Sequence, residues 1–222
     1  MNRVLSSRWT KVAVFVLSLA PLLLLGWRLF LFWRGGLGYD PDLTADPVAY
    51  ITHYTGDWTI RFLLITLCVT PLRKLFNLPK IARFRRMLGL FAFFYGCLHL
   101  TTWVWLDQSF DPSGMIKDVI KRRYITAGMT AFAMMIPLAV TSTAGWVRRL
   151  GFPRWQRIHR LIYFSALAGV IHYYWLVKSD VRLPLLYGGI LAVLMIYRAN
   201  MWLRSAPKRR PVTTPRTAYL RD

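Results

Sequence analysis

Glutamate is absent from this sequence of 222 residues, and aspartate, the other acidic residue, occurs only nine times. Against 30 Lys and Arg residues, this leaves a net charge of +21. A positive balance of this size is typical of nucleic-acid-binding proteins. The Lys and Arg residues fall, however, in short clusters between apolar runs. That distribution argues against a nucleic-acid partner and is typical of a protein embedded in membrane lipid, where such clusters set the orientation.

Cysteine is also scarce, with Cys68 and Cys97 as its two occurrences. Both lie inside apolar runs, and neither belongs to a CxxC or mixed Cys/His ligand pattern. This argues against a zinc or iron–sulfur site. We expect two small, buried apolar side chains.

Apolar residues make up 55% of the chain, and a membrane-spanning helix needs about 20 of them in succession. The charged clusters mark the ends of the apolar runs. The pattern of these runs predicts an all-α integral membrane protein with six transmembrane helices in a bundle. The predicted spans are about 12–33, 54–72, 88–106, 124–143, 158–177 and 183–203. The first is expected to be a retained helix, because no cleavage site of the A-x-A type follows it. We expect one membrane domain over 1–204 and a basic, disordered cytoplasmic tail over 205–222.

The charges predict the orientation of these spans. With the N-terminus in the cytoplasm, 21 of the 30 Lys and Arg residues face the cytoplasm and nine face outward. Eight of the nine aspartates then lie outside. The excess of Lys and Arg follows the positive-inside rule. Both termini are therefore expected to be cytoplasmic.

Two histidines lie inside predicted spans, where ionisable side chains are costly and usually functional. With a rise of about 1.5 Å per residue, His99 lies roughly 18 Å into the third span and His172 roughly 21 Å into the fifth. Both spans run in the same direction, so the two imidazoles should meet at matched depth. Facing imidazoles serve as axial ligands of six-coordinate haem iron. We predict His99 and His172 as such a pair, the alternative being hydrogen bonding in helix packing.

A third histidine, His159, lies roughly 20 Å below His172, a spacing that suits a second haem. The matching positions of the third span are Arg85 and Arg86, so a second histidine pair is missing. Four roles therefore stay open for His159: a second haem ligand, a contact to flavin or quinone, a proton carrier, or an interfacial residue. Arg85 and Arg86 would hold haem propionates or a flavin phosphate, or would act only as topology signals. His53 is expected to be structural or solvated.

Four stretches of the sequence resemble one family of bacterial membrane proteins. They are Thr55-Gly56-Asp57 through Thr70-Pro71-Leu72-Arg73, Arg85-Arg86-Met87-Leu88-Gly89-Leu90 leading to His99-Leu100, Leu138-Ala139-Val140-Thr141-Ser142-Thr143, and the run WQRIHRLIY…IHYYW from Trp155 to Trp175. The chain resembles the MsrQ family (formerly YedZ), the haem-binding membrane subunits of the bacterial protein-methionine-sulfoxide reductase system. That family belongs to the ferric-reductase-like transmembrane superfamily. The resemblance covers about residues 36–180, and the last run is its most specific part.

The resemblance implies haem b, an associated FMN and a multi-pass location in the bacterial cell inner membrane. It also implies electron delivery from the quinone pool, or from a cytoplasmic flavin reductase, to a periplasmic molybdopterin-containing subunit. That subunit would reduce methionine sulfoxide and so repair oxidised proteins. Members of the wider superfamily usually carry two histidines on each of two helices. This chain departs from that pattern, with one histidine on the third span and two on the fifth.

Two features of the sequence agree with what the resemblance implies, an electron-transfer subunit whose catalytic site lies on a partner. The chain has no GxGxxG motif and no soluble flavin or nicotinamide domain, so nicotinamide-derived electrons must come from another protein. The predicted outer loops, the longest about 20 residues, are too short for a catalytic domain. The alternatives are a free-standing transmembrane ferric or quinone reductase and, less favoured, a proton-coupled transporter. Transporters of that class usually show membrane-embedded acids or broken-helix repeats.

Overall fold

A computed structural model describes residues 7–35 and 41–205 of the chain. These residues form helices and connecting turns, without a β-strand. The α-helices are α1 (Arg8–Trp33), α2 (Pro41–Ala45), α3 (Pro47–Leu75), α4 (Arg85–Thr102), α5 (Pro112–Lys121), α6 (Arg123–Val140), α7 (Ala144–Leu150), α8 (Phe152–His159), α9 (Leu161–Leu176) and α10 (Arg182–Ser205). A 3-10 helix at Pro79–Phe84 leads into α4, and a π-helical turn at Trp103–Asp107 follows it. The tail predicted at 205–222 lies, apart from Ser205, outside the described residues.

Four helical segments of the described chain are long and apolar enough to cross a membrane. They are Arg8–Trp33, Pro79–Asp107, Arg123–Val140 and Arg182–Arg204. The other two predicted spans also fall on helices. α3 has 29 residues but a more polar sequence, and α9 has 16 residues, about 24 Å of helix. The all-helical membrane class is thus confirmed, and the count of six spans stays a prediction.

The centre of the bundle consists of α3, α4, α6 and α9. α3 packs mainly against α4, and α6 packs mainly against α9. α10 lies against α9 and α3, and α1 lies against α4 at the edge of the bundle. Buried aromatic rings fill the α3–α4 contact, where Phe62 stacks on Tyr95 with ring centroids 5.3 Å apart. Large apolar side chains are exposed on the outside, for example Leu17 and Leu24 of α1, as expected for a surface that faces lipid.

One tyrosine attaches α1 to this centre. The fully buried Tyr95 hydroxyl donates to the Ser18 carbonyl (3.0 Å) and accepts from the Leu22 N–H (3.2 Å). These two backbone groups are four residues apart, so an uninterrupted helix would pair them with each other. The Tyr95 hydroxyl therefore lies between two backbone groups of α1 that would otherwise be hydrogen-bonded to each other. Tyr54 of α3 adds a hydrogen bond to the Pro21 carbonyl at 2.9 Å, close to the point where Pro21 has no N–H to offer the carbonyl four residues before it.

The fifth predicted span, 158–177, is divided in the structure. α8 ends at His159, the chain turns at Arg160, and α9 begins at Leu161. His159 and His172 therefore lie on different helices. The sequence RIHRLIY contains neither proline nor glycine at this point, so the break carried no local signal.

Candidate functional site

The two histidines predicted as a pair meet in the centre of the bundle. His99 comes from the last turn of α4 and His172 from α9, and their ring centroids are 6.0 Å apart with the planes at 72°. Metal–imidazole bonds are about 2 Å long, and a ring centroid lies about 1 Å beyond the bound nitrogen. Two imidazoles on opposite sides of one metal ion thus have centroids about 6 Å apart. The observed separation fits a single metal ion between the rings.

Backbone carbonyls fix the tautomer of both rings. His99 Nδ1 lies 2.9 Å from the Thr52 carbonyl oxygen, and His172 Nδ1 lies 2.6 Å from the Tyr124 carbonyl oxygen. A carbonyl oxygen can only accept, so each Nδ1 carries the hydrogen and donates it. Each Nε2 is left with a lone pair. This arrangement, one ring nitrogen donating to a carbonyl and the other available, is the usual one for metal-bound histidine.

Two glycines allow the neighbouring helices to approach the imidazoles. A Cβ atom built on Gly56 of α3 would lie 3.0 Å from the His99 ring. One built on Gly128 of α6 would lie 2.8 Å from His172 Nδ1. Contacts this short require the ring to move, and Nδ1 of each ring is already held by a carbonyl. Glycine at both positions therefore sets where the rings lie.

A cavity of about 510 Å³ surrounds the pair, within the usual range of about 300–1,000 Å³ for ligand and cofactor sites. Its walls are largely apolar and include Ile60, Leu63, Ile125, Met129 and Phe132. Thr52 also lines it, and the buried Thr52 hydroxyl has no hydrogen-bond partner within the part of the chain that the structure describes. An unpaired buried hydroxyl is costly, and this one is available to a molecule bound in the cavity.

The donor set fits haem better than a bare metal ion. No cluster of three or more His, Cys, Asp or Glu side chains able to hold a metal occurs within residues 7–35 and 41–205. Zinc and similar ions need at least three protein ligands. Haem iron receives four nitrogens from its own porphyrin and needs only the two axial imidazoles that His99 and His172 can supply. Apolar walls suit the porphyrin faces.

His159 lies apart from this cavity and is not one of its lining residues. Its Nε2 is 3.1 Å from the Thr141 hydroxyl, and its ring stacks on Trp155 at 4.0 Å between centroids. The Thr141 hydroxyl already donates its hydrogen to the Pro137 carbonyl, so it can only accept from His159. His159 Nε2 therefore carries a hydrogen, the opposite tautomer to the central pair.

The two predicted arginines lie at the same end of the bundle as His159. Arg85 begins α4, 14 residues before His99, which is about 21 Å along the helix. Its side chain is partly buried beside Tyr163 and near His159 and Arg198. Arg86 is exposed. The structure thus separates the predicted site residues into a central pair and an inner cluster, defined here as Arg85, His159, Tyr163 and Arg198.

Several residues of the central site could not be identified from the sequence. Gly56 and Gly128 had no distinguishing pattern, since glycine is common in membrane helices. Every residue has a backbone carbonyl, so the sequence does not distinguish those of Thr52 and Tyr124. Asp57 and Arg61 did carry a signal, because an acid and a base four residues apart in a predicted span are expected to pair.

Comparisons with known proteins place this site in a family. A sequence model of the family described as ferric reductase like transmembrane component matches residues 55–170, slightly more than half of the chain. A protein of Xanthomonas campestris pv. campestris (strain 8004), named protein-methionine-sulfoxide reductase heme-binding subunit MsrQ, is 48% identical over 213 residues. The match covers 93% of this chain and 95% of that protein. The chain belongs to the MsrQ family.

Two further MsrQ proteins show the same likeness. The one from Xanthomonas oryzae pv. oryzae (strain MAFF 311018) is 49% identical over 214 residues, covering 93% of this chain and 95% of its own. The one from Herminiimonas arsenicoxydans is 53% identical over 159 residues, covering 71% of this chain and 73% of its own. The resemblance seen in the sequence motifs is confirmed. The shared name describes these MsrQ relatives as heme-binding subunits of a protein-methionine-sulfoxide reductase.

Proposed function

We propose that this MsrQ-family chain holds haem b between His99 and His172 and transfers electrons across a bacterial inner membrane. The observation that carries the proposal is the pair of imidazoles with centroids 6.0 Å apart and both Nδ1 atoms hydrogen-bonded to carbonyls. Bound haem would supply a centre that takes up and releases one electron at a time. The Thr52 and Tyr124 carbonyls orient the rings, and the apolar walls exclude water.

The topology proposed for this function has six spans and both termini in the cytoplasm. We add α3 and α9 to the four apolar spans to reach six. Both pack with α4 and α6 in the centre of the bundle. The excess of Lys and Arg on the cytoplasmic side supports the orientation. The membrane domain then comprises residues 1–204. His99 and His172 lie in the outer half of the membrane and the inner cluster lies near the cytoplasmic surface.

Electrons would enter from the quinone pool or a cytoplasmic flavin reductase and leave toward a periplasmic partner. We assign the reduction of methionine sulfoxide to that partner, because the relatives of this chain are named as subunits of a protein-methionine-sulfoxide reductase. A molybdopterin cofactor in the partner is what the family resemblance implies. FMN, which the family resemblance implies, would find cationic partners for its phosphate at the inner cluster. Arg86, exposed beside that cluster, could contribute to the same contact.

The proposal is tested on the protein purified in detergent. We expect a reduced-minus-oxidised difference spectrum with the α-band of b-type haem, and reoxidation of that band when the periplasmic partner and methionine sulfoxide are added together. A preparation of folded protein without the band would overturn the electron-transfer proposal. Equal reoxidation by a ferric chelate without the partner would instead support a free-standing ferric reductase.

The inner cluster gives a separate prediction. Replacing His159 with alanine should leave the haem-to-protein ratio of the central site unchanged, because His159 lies on α8 and its Nε2 hydrogen faces Thr141. Reduction by a donor from the cytoplasmic side should slow, because the cluster lies where electrons enter. Haem content is measured by pyridine haemochrome and reduction by stopped-flow absorbance. Thr141→Ser, which keeps the hydroxyl, is the matched control. Loss of half the haem in His159→Ala would show that His159 ligates a second haem.

A further inference from the structure

An ion pair lies against the cavity that contains the two histidines. Asp57 and Arg61 are one turn apart on α3, with Arg61 Nη2 at 3.1 Å from Asp57 Oδ2. The Arg61 Nε donates to the Tyr187 hydroxyl of α10 at 2.8 Å. The guanidinium also lies over the Trp58 ring, 5.0 Å from its centroid. Arg61 is thus held in one position by three different side chains.

The two members of the pair lie at different distances from the cavity. Asp57 is one of the residues that line it, whereas Arg61 is not. Asp57 directly follows Gly56, which contacts the His99 ring. The hydroxyl of Tyr173, the residue after His172, lies beside the Asp57 carboxylate. The negative member of the pair therefore lies on the wall of the cavity, and the positive member lies behind it.

The other charged residues that line the cavity have separate partners. Asp46 caps α3 by accepting from the Ala49 N–H (2.9 Å). Asp107 accepts from the Gln108 side chain (3.0 Å). Arg122 pairs with Asp118 at 3.2 Å. These groups lie near helix ends. His53 is exposed but lies close enough to interact electrostatically with Asp57 and with both imidazoles. Among the lining carboxylates, Asp57 is the one that follows Gly56, next to the His99 ring, and lies beside Tyr173, the residue after His172.

We propose that Asp57 and Arg61 set the reduction potential of the centre held by His99 and His172, with opposite effects. This inference rests on the proposed haem function. One-electron reduction, with the electron supplied by the donor, lowers the charge of the centre by one. A carboxylate at the cavity wall stabilises the more positive, oxidised state and lowers the potential. The guanidinium behind it offsets part of that effect.

The size of the effect follows from Coulomb's law. A unit charge about 10 Å from the centre, at an effective dielectric constant of about 20, alters the ratio of reduced to oxidised protein at a fixed solution potential by on the order of tenfold. Hydrogen bonds and buried charges near haem are known to act on the potential in this way.

The test is a spectroelectrochemical titration of the haem α-band in the full-length purified protein. Asp57→Asn should raise the midpoint potential, because it leaves the Arg61 charge without its counter-ion. Arg61→Gln should lower the potential, because the carboxylate is then unopposed. The double variant should return close to the wild-type value. Opposite signs are the decisive readout, since damage to the haem pocket would shift both single variants in the same direction.

The chain offers a matched control pair and a neutral variant. Asp180 and Arg182 form an exposed ion pair at 3.9 Å outside the cavity, and Asp180→Asn and Arg182→Gln should leave the potential unchanged. Tyr187→Phe removes a hydrogen bond to Arg61 without changing any charge. It should produce a much smaller shift than Arg61→Gln.

Three outcomes would overturn the inference. They are shifts of the same sign in Asp57→Asn and Arg61→Gln, no shift in either, or a Tyr187→Phe shift as large as that of Arg61→Gln. If a single variant loses haem, Asp57→Glu and Arg61→Lys keep the charges and should retain both the haem and the wild-type potential. Absence of haem from the wild-type protein would instead contradict the proposed function.

Discussion

Replacing either His99 or His172 with alanine is expected to remove the b-type haem spectrum from the purified protein. Each ring offers one Nε2 lone pair to the space between α4 and α9, and each is oriented by a backbone carbonyl. A loss of 1.4 kcal/mol lowers an affinity tenfold, and a metal–imidazole bond contributes more than this. We therefore expect haem content to fall by at least about tenfold in each variant. The measurement is the pyridine haemochrome per mole of protein.

His53→Ala is the matched control for these variants. His53 also lines the cavity, but its side chain is exposed, so its removal should leave the haem content unchanged. His172→Gly gives a second control, because added imidazole can enter the space that the side chain leaves. Recovery of the six-coordinate spectrum with imidazole would separate ligation from a packing role. A variant of His99 or His172 that keeps a full six-coordinate spectrum would contradict the axial pair.

The pairing of His99 with His172 could be predicted from the sequence because it depends on few quantities. Span limits follow from hydropathy, and depth follows from the constant rise of a helix. Neither requires knowledge of which helix faces which. The orientation of the rings could not be predicted. It depends on the Thr52 and Tyr124 carbonyls, 47 and 48 residues away in the chain, and on how α3 and α6 pack.

The same reasoning did not predict the break in the helix beside His159. The estimated depth of His159 below His172 assumed one continuous helix, because RIHRLIY has no helix-breaking residue. The structure instead ends α8 at His159 and begins α9 at Leu161. His159, just before that turn, is hydrogen-bonded to Thr141 at the end of α6. A tertiary contact of this kind has no periodic signature in the sequence.

The central site and the inner cluster differ in chemistry as well as in place. The central pair presents two Nε2 lone pairs in apolar surroundings, which suits a metal centre. The inner cluster presents guanidinium groups and a tyrosine ring under Arg198 at 5.2 Å, next to His159, whose Nε2 hydrogen is donated to Thr141. Such groups suit an anionic or carbonyl-bearing donor. This division agrees with the proposed function, in which electrons enter at the inner cluster and are held at the central pair.

Replacing Gly128 with alanine should reduce haem affinity without removing a ligand. The added Cβ would lie 2.8 Å from His172 Nδ1, closer than real Cβ contacts allow. The ring cannot turn away easily, because Nδ1 is held 2.6 Å from the Tyr124 carbonyl. Either that hydrogen bond is lost or α6 moves outward and widens the cavity. Loss of a partner that orients a metal-bound histidine typically lowers metal affinity about 10–100-fold, and we expect a fall of that size in haem retention.

Gly189→Ala is the matched control for this substitution. A Cβ on Gly189 of α10 meets nothing within 4 Å, and alanine favours a helix over glycine by about 1 kcal/mol, so haem retention should stay at the wild-type level. Retention is measured as the haem that remains bound during competition with an excess of a haem-binding protein. Gly56→Ala, at 3.0 Å from the His99 ring, should give a smaller loss than Gly128→Ala. Equal retention in Gly128→Ala and Gly189→Ala would show that the approach of α6 to His172 does not control the site.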